Sequence, residues 1–421
     1  MINITAQPAW LASLSEDAQR RLTRNNEKLT EGVSDVIISP AMKDVEDSEI
    51  IDFVRGITAS DKLTPYLVSI EESNLAKLGP RSIAKPWSER RADLEAYFTD
   101  QPLLSESEFQ DLIVQYREQF SIDGRLRPVS TGKAVENLES SSAGGLPYMR
   151  KKGDLRREGL ATERWKGTYP CVTYTRTQEG GKTRNVMGVG ISDVIFEMKY
   201  HQAFLPTEQS YSWRQAIVSP DATDLAITRM MNGMTANHDI VCLDFSAYDA
   251  SITPLLSGRA FAFIASHFSN NETDSIYELY ERFATIPFYT PDGEYSGNHG
   301  VPSGSAFTNT VDSIVQYLIL HEQLGHLDLD AIQIQGDDGI YLLNKGESDA
   351  IIDHFNSAGL VVNVDKSDTF EEQEGTFLQR YYHPMFHGNS SAFGGVYACA
   401  RALLRLKYLE RFIGDLGQDG S

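Results

Sequence analysis

The chain reads as an α+β fold, an antiparallel sheet flanked by helices, and two stretches carry that reading. Residues 331 to 343 run Ala-Ile-Gln-Ile-Gln-Gly-Asp-Asp-Gly-Ile-Tyr-Leu-Leu, two short apolar strands joined by a turn of glycine and aspartate. Upstream, Ile240-Val241-Cys242-Leu243-Asp244-Phe245 is a buried strand that ends in an acid. Pro254 then suits the first turn of a helix over 254–268. Strands interleaved with helices that pack on one face make an antiparallel α+β layer.

The remaining elements follow in order. Residues 1–130 alternate helical stretches, 91–99 and 106–120 among them, with acidic loops that hold no chemistry. Residues 131–236 form a second region. From 237 to 380 the order is strand, helix, a helical insert at 273–285, a hairpin around Pro291-Asp292-Gly293, a helix reaching His321 and the acidic hairpin. A helix over 346–358, stopped by Gly359, and a strand over 360–364 that delivers Lys366 complete it. An amphipathic helix covers 400–413. With 421 residues the chain is long enough for two or three subdomains and a full core.

Composition narrows the function. The net charge of −21 argues against coating a polyanion over the whole surface. The charge is uneven, because Leu146 to Asn185 holds ten Lys and Arg against four acids, with Tyr148, Trp165, Tyr169 and Tyr174 interleaved. A basic strip with aromatics suits a nucleic-acid channel. Cys171, Cys242 and Cys399 are too few and too far apart for a zinc site or a disulfide framework, which points to a reducing compartment. The nine histidines show no ligand spacing, and His238 reads as structural. No signal-like start or long apolar run is present, so secretion and membrane spanning are not expected.

The chemistry lies in the acids. Adjacent carboxylates stay ionised together most easily around a hard dication, so Asp337 and Asp338 at a hairpin tip call for Mg²⁺ or Mn²⁺. Asp244, at a strand end, supplies a third carboxylate, and two-metal phosphoryl transfer needs several from different strands. Asp249 reads equally as a functional group or a helix cap. The small-residue loop Gly300-Val301-Pro302-Ser303-Gly304-Ser305-Ala306-Phe307-Thr308-Asn309-Thr310-Val311-Asp312 opens into an apolar helix, where free amides favour an anion.

The series Asp244-x4-Asp249, Ser303-Gly304-x3-Thr308 and Gly336-Asp337-Asp338 resembles the successive A, B and C motifs of viral RNA-dependent RNA polymerases. Arg176 with Gly181-Lys182-Thr183-Arg184 resembles the basic F motif, and Ser142-Ala143-Gly144-Gly145-Leu146-Pro147 the G motif beside the template. Asp365-Lys366-Ser367 resembles the D motif, and Phe377-Leu378-Gln379-Arg380 the E motif under the primer end. The resemblance spans residues 140–382, and the wording of its B and C stretches is most similar to the picobirnavirus and partitivirus branch of double-stranded RNA viruses.

It implies a right-hand polymerase: an N-terminal extension (1–130) bridging fingers and thumb, fingers (131–236), palm (237–380, with an insert at 270–298) and a short thumb (381–421). By the same resemblance Asp244 and Asp337 hold two Mg²⁺ or Mn²⁺ ions, Asp338 assists, and Lys366 protonates pyrophosphate. Arg176, Lys182, Arg184, Asp249, Ser303, Thr308 and Asp312 bind the nucleotide, and Ser142, Gly144, Pro147, Gly304 and Arg380 meet template or primer RNA. The implied partners are RNA, ribonucleoside triphosphates and a viral capsid protein, in the virion interior and the host cytoplasm.

The chain departs from the family in two places. Asp312 stands where plus-strand virus enzymes carry asparagine, which leaves open whether Asp312 or Asn309 helps Asp249 read the ribose. About forty residues follow the E-like stretch, little for a thumb. A carboxylate at Asp249, where reverse transcriptases place an aromatic, favours ribonucleotides. A DNA-making palm enzyme and a non-catalytic RNA-binding virion component are the alternatives.

Overall fold

Alternation along the strand His238–Leu243 puts Val241 and Leu243 on one face and Ile240 and Cys242 on the other, and all four are buried. In the computed structural model, which describes residues 2–325, 328–388 and 391–411, this strand lies inside a four-stranded antiparallel sheet. The order is Asp368–Phe370, His238–Leu243, Asp338–Asn344, Ile332–Gln335.

Both faces of the sheet are covered, where the sequence predicted helices on one. Val241, Leu243, Ile332, Ile334, Tyr341 and Leu343 pack on the helices Glu106–Gln119, Pro254–Ser266, Thr308–Leu324 and Ser348–Ser357. Ile240, Cys242, Ile340 and Phe370 meet the helix Pro220–Asn232 and a small sheet of Gly375–Phe377, Arg380–Tyr382 and Val396–Tyr397. Thr308–Leu324 is buried without a break from Thr310 to Leu320, which places it at the centre of the core rather than on its surface.

A second, five-stranded sheet runs Asn3–Thr5, Gly293–Ser296, Phe288–Thr290, Cys171–Thr177, Thr183–Gly188. The hairpin around 291–293, grouped by sequence with the central region, therefore extends the basic hairpin Cys171–Thr177/Thr183–Gly188. Parallel pairing of Cys171 with Phe288 joins them, and both side chains are fully buried there.

The N-terminal helices connect this sheet to the C-terminal helix Cys399–Lys407. Asn25 donates to the Thr173 carbonyl (2.9 Å), and Glu71 accepts from the amides of Cys399 (2.7 Å) and Ala400 (2.8 Å). A carboxylate at a helix start is satisfied by both the free amides and the dipole.

Three predicted elements differ. The helix placed at 91–99 spans Trp87–Glu95, because Phe98–Thr99 is drawn into pairing with Asn298–His299. The strand at 360–364 shrinks to one bridge between Val362 and Phe245, since Asp368–Phe370 takes that edge of the sheet and Val364–Lys366 turns toward it. The helix over 400–413 ends at Lys407, where Tyr408 crosses to pair with Ile38 and hydrogen-bonds Asp47; positions 412–413 lie outside the described residues. Among the described residues, no helix is long and apolar enough to cross a membrane.

Candidate active site

The acidic turn is built by register. Asp338 pairs with Gln335, so Gly336 and Asp337 alone form the bend, and Gly336 takes φ 67°, which glycine adopts without strain. Gly339 pairs with Leu243, so Asp244 and Asp338 leave their strands side by side. Asp337 is exposed at the tip, whereas Asp338 is half-buried. Asp244 is fixed through its backbone: its amide donates to Ser367 Oγ (3.1 Å) and its carbonyl accepts from Asn363 (2.8 Å).

The turn is also bolted to the Thr308–Leu324 helix. Gly336 N–H donates to Ser313 Oγ (2.8 Å), and the Gln316 amide donates to the Gly336 (3.5 Å) and Asp337 (3.4 Å) carbonyls. Tyr341 O–H donates to Gln316 Oε1 (2.6 Å). Asn309, Ser313 and Gln316 lie at i, i+4 and i+7, one polar line along an apolar helix. Sequence reading missed Ser313 and Gln316, although that line is visible in the sequence.

Five carboxyls share one electrostatic neighbourhood. Burial, and then the charges of Asp337 and Asp244, push Asp338 up to about 7. Burial and Asp337 push Asp249 up to about 6, with Arg184 opposing. Asp244 is raised by burial and pulled back by Lys366, whose Nζ is 3.9 Å away. Asp312 is fully enclosed and raised well above the carboxylate range by burial and by Asp249; its Oδ1 has no hydrogen-bond partner among the described residues.

Lys182, held below the usual lysine range by burial and by Arg184, feels Asp244 and Asp337 from the other side. Thus Asp244, Asp249 and Asp337 share a neighbourhood with Lys182, Arg184 and Lys366, whereas Asp338 feels Arg401 and Asp312 feels Arg214.

Among the described residues no three His, Cys, Asp or Glu side chains close around an ion by themselves. Mg²⁺ keeps waters and is bound by one or two carboxylates plus substrate phosphates rather than by a full protein cage. Asp244 and exposed Asp337, hard oxygen donors within a cluster of carboxyls, fit such an ion.

Arg176 and Arg184 stand directly opposite each other on the basic hairpin, and both are exposed. Like charges across a strand pair repel, so the hairpin is poised for an anion.

Several other predicted site residues are held by partners within the protein. In the 300–308 loop, Ala306 N–H (2.8 Å) and Ser305 O–H (2.9 Å) donate to buried Glu197. Ser303 Oγ accepts from Met187 N–H (3.1 Å), and a Cβ on Gly304 would sit 2.0 Å from the Met187 carbonyl. The loop therefore braces the basic hairpin. Thr308 O–H donates to the Pro302 and Ser305 carbonyls, both at 3.0 Å.

Arg380 pairs with Asp224 (3.5 Å). Ser142 O–H donates to the Glu139 carbonyl (2.9 Å), and Gly144 hydrogen-bonds Arg150 and Ile191 through its backbone. Pro147 follows a cis peptide bond.

Of the aromatics in the basic strip Tyr169 is buried, whereas Tyr148, Trp165 and Tyr174 are half-buried. Tyr169 is buried against Trp10, Trp165 and Tyr174 pack beside the same cluster, and Tyr148 packs on a neighbouring apolar cluster. His238 is structural as expected, its Nδ1 accepting from Thr235 N–H (3.2 Å).

The sequence model described as viral RNA-dependent RNA polymerase matches residues 179–402, more than half of the chain. The chain belongs to that family. This polymerase is similar to a protein of human picobirnavirus named potential RNA-dependent RNA polymerase, at 26% identity over 409 residues, covering 90% of this chain and 76% of the relative. It is 30% identical over 140 residues to the RNA-directed RNA polymerase of Cryptosporidium parvum virus 1, covering 30% of this chain and 27% of that one. The crystal structure of a human picobirnavirus RNA-dependent RNA polymerase superposes with a TM-score of 0.85 at 24% identity, covering 98% of this chain and 83% of the other. The polymerase thus carries out RNA-templated synthesis of RNA on the antiparallel-sheet fold predicted for it.

Glu197, which sequence reading also missed, gives a pH test. Burial pushes its carboxyl up to about 7, against the bonds from Ala306 and Ser305. A folded-state value above the unfolded one means stability present at low pH and lost as pH rises through about 7. Glu197→Gln removes the titration, so its stability relative to the parent is expected to rise between pH 5 and pH 9, by roughly 1–3 kcal/mol. Urea unfolding across that range checks it; a difference that does not change with pH contradicts it.

Proposed function

We propose that nucleotidyl transfer takes place between Asp244 and Asp337, which hold two Mg²⁺ or Mn²⁺ ions while Asp338 supports the turn from behind. Bound there, the ions supply neutralising charge for the attacking and leaving oxygens. Arg184, Lys182 and Arg176 receive the triphosphate, for which arginine's planar fork is suited. Lys366, beside Asp244, gives a proton to the departing pyrophosphate.

Asp249 accepts a hydrogen bond from the 2′-hydroxyl. Asp312, whose Oδ1 has no hydrogen-bond partner among the described residues, supports Asp249 in this, because Asn309 Oδ1 is committed to Arg214 at 2.9 Å. Template RNA runs past Ser142, Gly144 and Pro147. Residues 131–236 act as fingers, 237–380 as palm and 381–421 as a short thumb, with 1–130 bridging fingers and thumb. The enzyme works with a viral capsid protein in the virion interior and in the host cytoplasm.

The observation that carries this reading is exposed Asp337 beside Asp244, with Lys182, Arg184 and Lys366 around the pair. Asp244→Asn and Asp249→Ala, assayed side by side with ribo- and deoxynucleotides, test it. Asp244→Asn is expected to show no turnover. Asp249→Ala is expected to turn over with its ribonucleotide preference reduced about tenfold or more, the worth of one hydrogen bond to a charged group. Full activity in the first, or unchanged preference in the second, refutes the corresponding role.

A further inference from the structure

Arg214 lies in the turn Ser212–Ile217, far in sequence from every motif above, and is 1% exposed. Each of its five N–H groups has an acceptor. Nε reaches Glu208 Oε1 (3.0 Å) and Nη2 the same atom; Nη2 also reaches Asn309 Oδ1 (2.9 Å). Nη1 reaches the Ile334 carbonyl (3.2 Å) and the Gln335 side-chain oxygen. Glu208, equally buried, accepts from Thr310 O–H (3.1 Å) on its other oxygen.

One guanidinium therefore ties together the helix Ile191–Ser210, the start of Thr308–Leu324 and the strand Ile332–Gln335, whose last residue stands two positions before Asp337. Only arginine offers five donors in a fixed fork, and lysine has three on a flexible stem. A buried ion pair is a poor way to gain stability, since an apolar replacement of similar volume is often as stable. What such a pair does supply here is a fixed relation between segments.

We propose that Arg214 is a positioning residue for nucleotidyl transfer. Through Ile334, Gln335 and Asn309 it sets where the acidic turn presents Asp337. The proposal rests on Asp337 being a metal ligand, and Mg²⁺ tolerates little departure from octahedral geometry, so a small shift of that carboxylate is felt at the ion.

The test compares Arg214→Lys, Gln335→Ala and Asp337→Asn in the full chain with bound template RNA. The readouts are kcat and KM for a ribonucleotide, the Mn²⁺ dissociation constant from electron paramagnetic resonance, and the melting temperature. Arg214→Lys is expected to lower kcat and weaken Mn²⁺ binding each about tenfold or more, with KM little changed, the usual size for residues that orient a ligand. Gln335 is only half-buried, so its alanine variant keeps the fold and decides the matter if Arg214→Lys does not fold; it should move both quantities the same way, by less.

A change confined to melting temperature, or unchanged kcat and Mn²⁺ affinity, overturns the proposal. If Asp337→Asn loses turnover and Mn²⁺ while the other two keep both, the positioning role alone fails. If Asp337→Asn keeps both, the metal reading fails and the proposal falls with it.

Discussion

Asp337→Asn is expected to abolish RNA synthesis, with kcat down by at least about 10²–10³-fold, whereas Asp338→Asn should lose about tenfold or less. The two aspartates are neighbours in sequence but not in environment. Asp337 is exposed at the bend, open to an ion and to a triphosphate. Asp338 is half-buried, and burial together with the charges of Asp337 and Asp244 pushes its carboxyl up to about 7.

Asp338, half-buried beside the bend, offers its carboxyl to an ion less openly than exposed Asp337, so the second substitution removes less. Initial rates of the two purified variants, with melting temperatures as the control for folding, measure the difference. Equal losses would contradict the division of labour within the pair.

Arg184→Ala is expected to separate activity from stability. The residue pairs directly with Arg176 across the basic hairpin, and like charges so placed repel by a few tenths to about 1 kcal/mol. It also lowers the neighbouring lysine, Lys182. Removing it relieves both repulsions, so the melting temperature should hold or rise. The triphosphate loses a charge-assisted donor, and kcat/KM should fall about 10²-fold. Steady-state kinetics and thermal unfolding on one preparation suffice; a less stable variant with intact kcat/KM would mean that Arg184 is structural.

The sheet strands and the central helices were legible because their signals are local. His238–Leu243 and the acidic hairpin announce themselves by apolar runs broken at glycine and aspartate, and Thr308–Leu324 by a small-residue loop that opens into an apolar helix. The carboxylates stood out for the same reason: they sit at the ends of those elements.

What the sequence hid was pairing at a distance. Glu197 takes the Ala306 amide of the loop that looked open to a ligand, and the two lie 109 residues apart. Arg214 reaches Gln335 across 121 residues. Charge and aromatic content do not say which way a ring points: in the basic strip Tyr169 turns inward to Trp10, while Tyr148, Trp165 and Tyr174 are half-buried. The helix over 400–413 was drawn too long because its amphipathic pattern continues past the point where Tyr408 leaves to bond Asp47.

The most direct test of the central claim is incorporation of labelled ribonucleotides on a single-stranded RNA template with Mg²⁺ or Mn²⁺, by the full chain and by Asp337→Asn, with a parallel deoxynucleotide reaction. Template-length RNA from the parent, none from the variant and none from deoxynucleotides is the predicted result. Undiminished product from a folded Asp337→Asn enzyme would contradict the assignment of the acidic turn as the catalytic centre.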